Sequence, residues 1–414
     1  MGSHKTIGRK LKNIVIGGAH DPHDNKIFHK VSLIAFFAWI GIGADGLSSS
    51  CYGPQEAFLA LQGHMYLGIF VALLTAATII IISTSYSQIV EIFPSGGGGY
   101  LVASKLLSPR TGMVSGCALL IDYILTITVS VACGADAVFS FLPASWYPYR
   151  LFFACLILLV LILLNLRGAK ESIMVLMPIF VVFMVTHIFL ILYALSSHAS
   201  NFSQVVSETR IDANNTSAQL GFFGMIFLVL RAYSMGAGTY TGIEAVSNSL
   251  PVLREPKVET AKRTMLYMSL SLAVMVLGLM FSYVLFKVQF QEGKTLNAAL
   301  LEQVTGSWSR SWGVPFILIT LASEAVLLFV AAQTGFIGGP MLLSYMALDK
   351  WVPTRFATLS DRFVTMNGVL IMGAAALILM ISTRGSVTFM VVLYSINVFI
   401  TFTLSQAGMV RHWW

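Results

Sequence analysis

Five stretches of this chain, 65–90, 172–197, 264–286, 363–383 and 385–410, contain no Asp, Glu, Lys or Arg. Each is long enough for a helix rising 1.5 Å per residue to cross a hydrocarbon core about 30 Å thick. With 57% hydrophobic and only 10% charged residues, and a mean hydropathy of +0.80, the composition fits no soluble globular class. The chain is predicted to live in a bilayer of the cell membrane as an all-α, multi-pass protein. A net charge of +7 raises the question of nucleic acid, and the positions of the basic residues answer it. Threading the helices with the amino terminus in the cytoplasm puts eighteen of the 25 Lys and Arg on the inner side. Six fall outside (Arg150, Arg210, Lys287, Lys294, Arg310 and Arg384), and Arg231 falls within a helix. This basic charge sets topology and needs no nucleic-acid partner.

The hydrophobic pattern resolves into ten units near 31–62, 65–91, 112–142, 149–166, 172–197, 220–250, 263–288, 313–348, 364–383 and 385–410. Units one and six are interrupted by glycine and small polar residues, at Gly41-Ile-Gly-Ala-Asp-Gly46 and Gly236-Ala-Gly-Thr-Tyr-Thr-Gly242. Matched breaks opening two five-helix halves are the sequence pattern of an inverted-repeat transporter, with its substrate bound between the breaks. Unwound backbone is tolerable at that depth only against protein or a water-filled cavity. The alternative is that these are membrane glycines serving close packing. The organisation expected is a cytoplasmic tail over 1–30, a first repeat over 31–197, a polar extracellular loop over 198–219, a second repeat over 220–410, and a truncated end at 411–414. The tail has no short apolar core and cleavage site, so the first helix is expected to direct insertion. The sequons at Asn201, Asn214 and Asn215 carry no functional weight here. The stretch 291–312 has the spacing of a short amphipathic helix lying on the outer surface, as a gate or a cap.

Six of the 18 acidic residues fall inside membrane units: Asp45, Glu56, Asp122, Asp136, Glu244 and Glu324. Burying a carboxylate in hydrocarbon costs several kcal/mol, and Arg231 is the only basic residue at hand, so the missing counter-charge is a cation or a proton. Asp45, followed by Ser48, Ser49, Ser50 and Tyr52, makes an oxygen-rich stretch suited to a hard cation. A protonated Asp45 capping the second half-helix is the bland alternative. Asp122, Thr126 and Ser130, at i, i+4 and i+8, share one helical face and can line a path. Glu244, just beyond the second break, is the natural proton carrier, and a hydrogen bond to the opposing helix is its structural alternative. Tyr394 and Asn397 in unit ten share a face that can complete the site.

The remaining signals are weak. Ser95-Gly-Gly-Gly-Gly-Tyr100 lacks the Lys-Ser/Thr ending of a phosphate loop and reads as a flexible cytoplasmic turn. His20 and His23 lie in a polar tail, and His187 reads as a packed or snorkelling residue. Cys51, Cys117, Cys133 and Cys155 form no CxxC pair and read as packing residues. No HExxH or GxSxG occurs, so neither a transition metal nor an enzymatic activity is expected.

Gly43-Ala-Asp-Gly-Leu-Ser-Ser-Ser-Cys-Tyr-Gly53, Phe93-Pro-Ser-Gly-Gly-Gly-Gly-Tyr100, Ile121-Asp-Tyr-Ile-Leu-Thr126 and Tyr240-Thr-Gly-Ile-Glu-Ala-Val-Ser-Asn248 occur in order along the chain. Together they resemble the KUP potassium-uptake permeases of the amino acid-polyamine-organocation superfamily, particularly the KimA-type importers, from about residue 31 onward. The resemblance implies a LeuT-like 5+5 inverted repeat with broken helices 1 and 6 that imports potassium with protons, with no other cofactor. By motif position, Asp45, Tyr52, Thr126, Thr241 and Tyr394 would surround potassium, Ser130 would extend the path, and Asp122 and Glu244 would serve ion passage or proton coupling. Family members usually continue through two further helices. KimA-type proteins also add a cytoplasmic domain that binds cyclic di-AMP and supports a homodimer. An amino-acid or cationic amine permease on the same fold is the rival reading. Asp45 would repel a substrate carboxylate, whereas a cationic amine stays compatible.

Overall fold

The computed structural model describes residues 33–167, 173–250, 253–358 and 365–414. The amino-terminal tail, with His20 and His23, lies outside the described residues. The first membrane unit is segmented into α1 (Ala35–Gly41), α2 (Gly43–Ser48), a 3-10 turn (Ser49–Cys51) and α3 (Gly53–Leu59). The second is α4 (Gly68–Ile92), followed by the short α5 (Gly98–Val102). The third, α6 (Pro109–Phe139), starts where Pro109 occupies the first turn and the Ser108 hydroxyl accepts from the Thr111 N–H, both standard ways to begin a helix. Units four and five are α7 (Arg150–Arg167) and α8 (Ile173–Ser197).

The second half repeats this order. It comprises α9 (Phe202–Met235), a 3-10 turn (Ala237–Tyr240) and α10 (Ile243–Asn248), then α11 (Lys257–Leu285), the short α12 (Leu296–Thr305), α13 (Arg310–Leu348), α14 (Met366–Ser382) and α15 (Val387–Trp413). Eight helices among the described residues are apolar and long enough to span a membrane, and α14 is a shorter apolar one. With the segmented first unit they make the ten expected. Large side chains such as Phe152, Phe223, Phe227, Leu270 and Ile378 are exposed along the outer faces, where a bilayer rather than water would cover them.

The packing has an internal symmetry. The broadest interfaces pair unit three with unit eight (α6 on α13) and unit two with unit seven (α4 on α11), and both are unchanged when each unit is exchanged with the one five later. Others occur as exchanged pairs: α8 on α13 with α15 on α6, α6 on α7 with α13 on α14, and α1 and α2 on α11 with α10 on α4. The short helices α5 and α12, each lying between the second and third units of its half, also exchange. The two five-unit halves are therefore repeats of one arrangement, as an inverted-repeat carrier requires.

Three segments differ from expectation. Residues 202–220 are not an irregular loop: they form the first part of α9, which bends where Gly221 adopts φ 76°. Asp212 and Thr216 on that part bind His64 at 3.0 and 2.7 Å, so the helix is tied to the end of unit one. The amphipathic helix expected on the outer surface is α12, but it is buried from Leu296 through Leu301. Its sequence looks surface-like because Asn297 and Thr295 are polar, yet both find partners within the fold. The glycine run also packs rather than flexes. A Cβ on Gly98 would fall 2.3 Å from Asn248 Oδ1, and one on Gly99 would fall 2.5 Å from Ser405 Oγ. The loop therefore sits flush on α10 and α15.

The two breaks meet. Unit six opens fully, with Thr241 extended and Gly242 left-handed at φ 87°. A Cβ on Gly242 would lie 2.6 Å from the Gly46 nitrogen and 2.7 Å from its Cα. In unit one the backbone stays right-handed through Ile42 (φ −94°, ψ −38°) and loosens only at Ser49–Cys51 and Tyr52 (φ −123°). Unit one is interrupted at Ile42, within Gly41–Gly46, and departs further from helix only at Ser49–Tyr52. The glycines of Gly41–Gly46 also admit neighbours: a Cβ on Gly46 would lie 3.0 Å from Met268 Sδ, and one on Gly43 would lie 3.0 Å from Trp39.

Gly242→Ala combines a disfavoured φ with a backbone collision. It is expected to cost more than about 3 kcal/mol and to abolish a monodisperse, folded protein in detergent. Gly63→Ala has a similar φ of 100° but nothing within 4 Å, so it should cost only about 1 kcal/mol. Thermal unfolding followed by size-exclusion chromatography separates the two.

Candidate functional site

The crossing of the two breaks collects polar groups that neither unit could bury alone. Asp45 on α2 is almost wholly buried beside the backbone of Gly242. The hydroxyls of Ser48, Ser49 and Ser50 donate to the carbonyls of Asp45, Gly46 and Leu47, at 2.7, 2.5 and 2.6 Å. They brace the loosening turn, a role the sequence reading did not assign them. Ser49 also reaches across to the Thr239 carbonyl at 3.1 Å, joining the two breaks. Thr241 is buried and donates to the Gly238 carbonyl at 2.7 Å. A Cβ on Gly238 would lie 2.9 Å from the Tyr52 ring and 3.5 Å from the Tyr394 ring, so both tyrosines crowd the second break. Tyr394 shares a 2.6 Å hydrogen bond with Thr126. Asp45, Tyr52, Thr126, Thr241 and Tyr394 are therefore gathered around one junction, and Ser130 is buried one turn beyond Thr126.

Asp122 lies one turn before Thr126 on α6. Its Oδ2 accepts from Thr401 on α15 at 3.3 Å and its Oδ1 has no partner. Glu244 stands in the first turn of α10, where the helix dipole favours negative charge, and its Oε2 is buried without a partner. Among the described residues none of the three carboxylates, Asp45, Asp122 and Glu244, pairs with a Lys, Arg or His. Nor do they converge as the ligands of one transition metal would. They form a row of acidic groups, bordered by Tyr86, whose hydroxyl meets Ser405 at 3.4 Å, and by Tyr123, which accepts from Asn248 at 2.8 Å.

Several expectations change. Arg231 is exposed on α9 and is no counter-ion for the acids. Asn397 donates to the Leu393 carbonyl at 2.9 Å, back along its own helix, and does not complete the site; Thr401, one turn further on, supplies the contact to Asp122. Asp136 leaves the set of uncompensated acids because Arg150 binds it. Glu56 stays buried with its Oε2 unpartnered. His187 is not a simple packing residue, since it faces Glu324 across a fully buried gap. Cys51 and Cys133 are buried and Cys117 is exposed, all with free thiols.

A broken-helix crossing with uncompensated acids narrows the class to carriers, and comparison with known proteins agrees. Residues 31–414 match the model of a family described as amino acid permease. The chain belongs to the amino acid permease family. The permease is 31% identical over 377 residues to the potassium transporter KimA of Bacillus subtilis (strain 168), a match covering 90% of this chain and 60% of that protein. It thus spans about three-fifths of the curated relative's length, and the KimA-type resemblance read from its motifs holds. Among solved structures, the permease fold matches a Na+-coupled sialic acid symporter in a substrate-bound outward-open state, with TM-score 0.56 and 12% identity over 94% of this chain and 81% of that one. It also matches a manganese transporter from Eremococcus coleocola bound to an aromatic bis-isothiourea compound, with TM-score 0.56 and 14% identity over 96% and 82% of the two chains. At these identities the likeness is one of fold, the LeuT-type inverted repeat.

The Thr126–Tyr394 bond ties unit three to unit ten at the site. Thr126→Val and Tyr394→Phe should each cost about 1 kcal/mol. The double variant should lose little more than either single one, a coupling of about 1 kcal/mol. Additive losses in thermal midpoint would show that the hydroxyls do not interact.

Proposed function

We propose that this permease imports potassium with protons by alternating access between its two broken helices. The observation that carries the reading is the row of three buried, unpaired carboxylates, Asp45, Asp122 and Glu244, at and beside the crossing. In low dielectric such a row demands positive charge, and a monovalent cation with a mobile proton supplies it without a resident metal. Asp45 is the anionic potassium ligand, with the hydroxyls of Tyr52, Thr126, Thr241 and Tyr394 replacing water around the ion and Ser130 extending the path. Hard alkali ions favour such oxygen donors. Glu244, with an unpartnered oxygen and acids on either side, is the proton carrier, and Asp122 relays charge along α6. The 31% identity to a potassium transporter supports this choice of ion.

With the amino terminus in the cytoplasm, the glycine loop and α5 close the inner end by seating on α10 and α15, and α12 covers the outer end. Alternating access is then the release of one cover at a time. Binding of cyclic di-AMP and dimerisation belong, on this reading, to the complete protein. A cationic amine is compatible with the same charge pattern. A zwitterionic amino acid is less so, because its carboxylate would meet Asp45 and Glu244.

The test is growth of potassium-uptake-deficient bacteria on limiting potassium. The complete protein should rescue growth, and Asp45→Asn should lower initial uptake by at least about tenfold, the loss of about 1.4 kcal/mol of binding. Glu244→Gln should abolish accumulation against a gradient. Normal transport by Asp45→Asn contradicts the ligand role. Failure of the unmutated protein to rescue, with increased uptake of an amine, overturns the choice of ion.

A further inference from the structure

A buried pair between α8 and α13 is left unused by this mechanism. His187 on α8 is wholly buried and Glu324 on α13 is 1% exposed, and His187 Nε2 faces Glu324 Oε2 at 3.5 Å. The other ring nitrogen fixes the chemistry. His187 Nδ1 lies 3.0 Å from the Phe183 carbonyl oxygen, which can only accept, and the Thr186 hydroxyl donates to the same carbonyl at 3.1 Å. Nδ1 therefore carries a hydrogen. A neutral ring then presents a bare lone pair at Nε2 to a carboxylate oxygen. Nε2 has no hydrogen-bond partner among the described residues, so one more proton, on the ring or on the carboxyl, is what would join the two across the 3.5 Å gap.

The same oxygen also holds α12. Asn297 Nδ2 donates to Glu324 Oε2 at 3.2 Å, and the Tyr283 hydroxyl donates to Asn297 Oδ1 at 2.5 Å, which fixes the amide's orientation. Four elements, α8, α13, α12 and α11, thus meet at one proton. The other titratable groups facing Glu324 are Cys51 from the first unit, Cys133 from α6 and Tyr283 from α11. Beyond Cys133 lie Glu56 and the Asp136–Arg150 pair. Among the described residues neither His187 nor Glu324 pairs with a Lys or Arg, so a proton is the counter-charge at hand.

We propose that His187 and Glu324 form a second proton-binding site, separate from the acids at the broken helices, whose proton latches α12 onto α8 and α13. By the exchange of units, this acid on unit eight facing unit five corresponds to Asp122 on unit three facing Thr401 on unit ten. Loss of the proton leaves a buried carboxylate beside a lone pair, and that strain is relieved when α12 lifts and admits water.

Hydrogen–deuterium exchange of the segment 295–305 in the complete protein tests this without reading transport, so its failure leaves the potassium proposal standing. Corrected for the intrinsic pH dependence of exchange, protection of this segment should fall by at least about tenfold between pH 5 and pH 9, equivalent to about 1.4 kcal/mol. In Glu324→Gln, which removes the titrating carboxyl, protection should be independent of pH. Should that variant fail to fold, Asn297→Ala serves in its place, with protection low and flat across the same range. A flat profile in the unmutated protein, or an unchanged pH dependence in either variant, overturns the latch.

Discussion

Gly242 and Gly46 bring two helices into backbone contact at the middle of the fold, and most of the site's geometry depends on that approach. A side chain at Gly242 would drive its Cβ into the Gly46 backbone and hold the breaks apart. Asp45 would then no longer lie against the turn that leads to Glu244, and Ser49 would lose its reach to the Thr239 carbonyl. The positive φ of Gly242 ends the 3-10 turn and starts α10 in one residue, which sets Glu244 on the first turn of that helix. Backbone conformation at one residue thereby controls the distance between two charges.

That arrangement is costly by the ordinary rules of burial. Unpaired carboxylates in low dielectric are normally neutralised by a partner, as Asp136 is by Arg150. Among the described residues the row at Asp45, Asp122 and Glu244 has no such partner. A protein that keeps acids open where its two halves meet, and covers both ends with short packed helices, has the parts of a carrier whose cargo supplies the missing charge.

The sequence reveals some of this directly and some not at all. The break at 236–242 is legible because a tract so rich in glycine and threonine has no reason to continue a helix, and the left-handed residue it needs is the final glycine. The first break is legible only in part, at Ile42, since glycines at 41, 43 and 46 look the same whether they unwind a helix or let Met268 approach it, and the looser turn at Ser49–Tyr52 contains no glycine. The three acids stand out because charge inside an apolar unit is rare. Their surroundings do not. Thr401 meets Asp122 and His187 meets Glu324 across more than a hundred residues of chain, through helix packing that periodicity cannot specify. Asn397 illustrates the opposite error: helical spacing puts it near Tyr394, but its amide satisfies its own helix. Likewise α12 is recognisable as an amphipathic helix, although its polar residues turn out to bind inward rather than to water.

The most direct test of the account is simultaneous measurement of potassium flux and lumenal pH in proteoliposomes containing the complete protein. Potassium added outside should drive lumenal acidification in step with its own uptake, and Glu244→Gln should remove the acidification. Potassium accumulation with no proton movement, or acidification driven by an amine and indifferent to potassium, would contradict it.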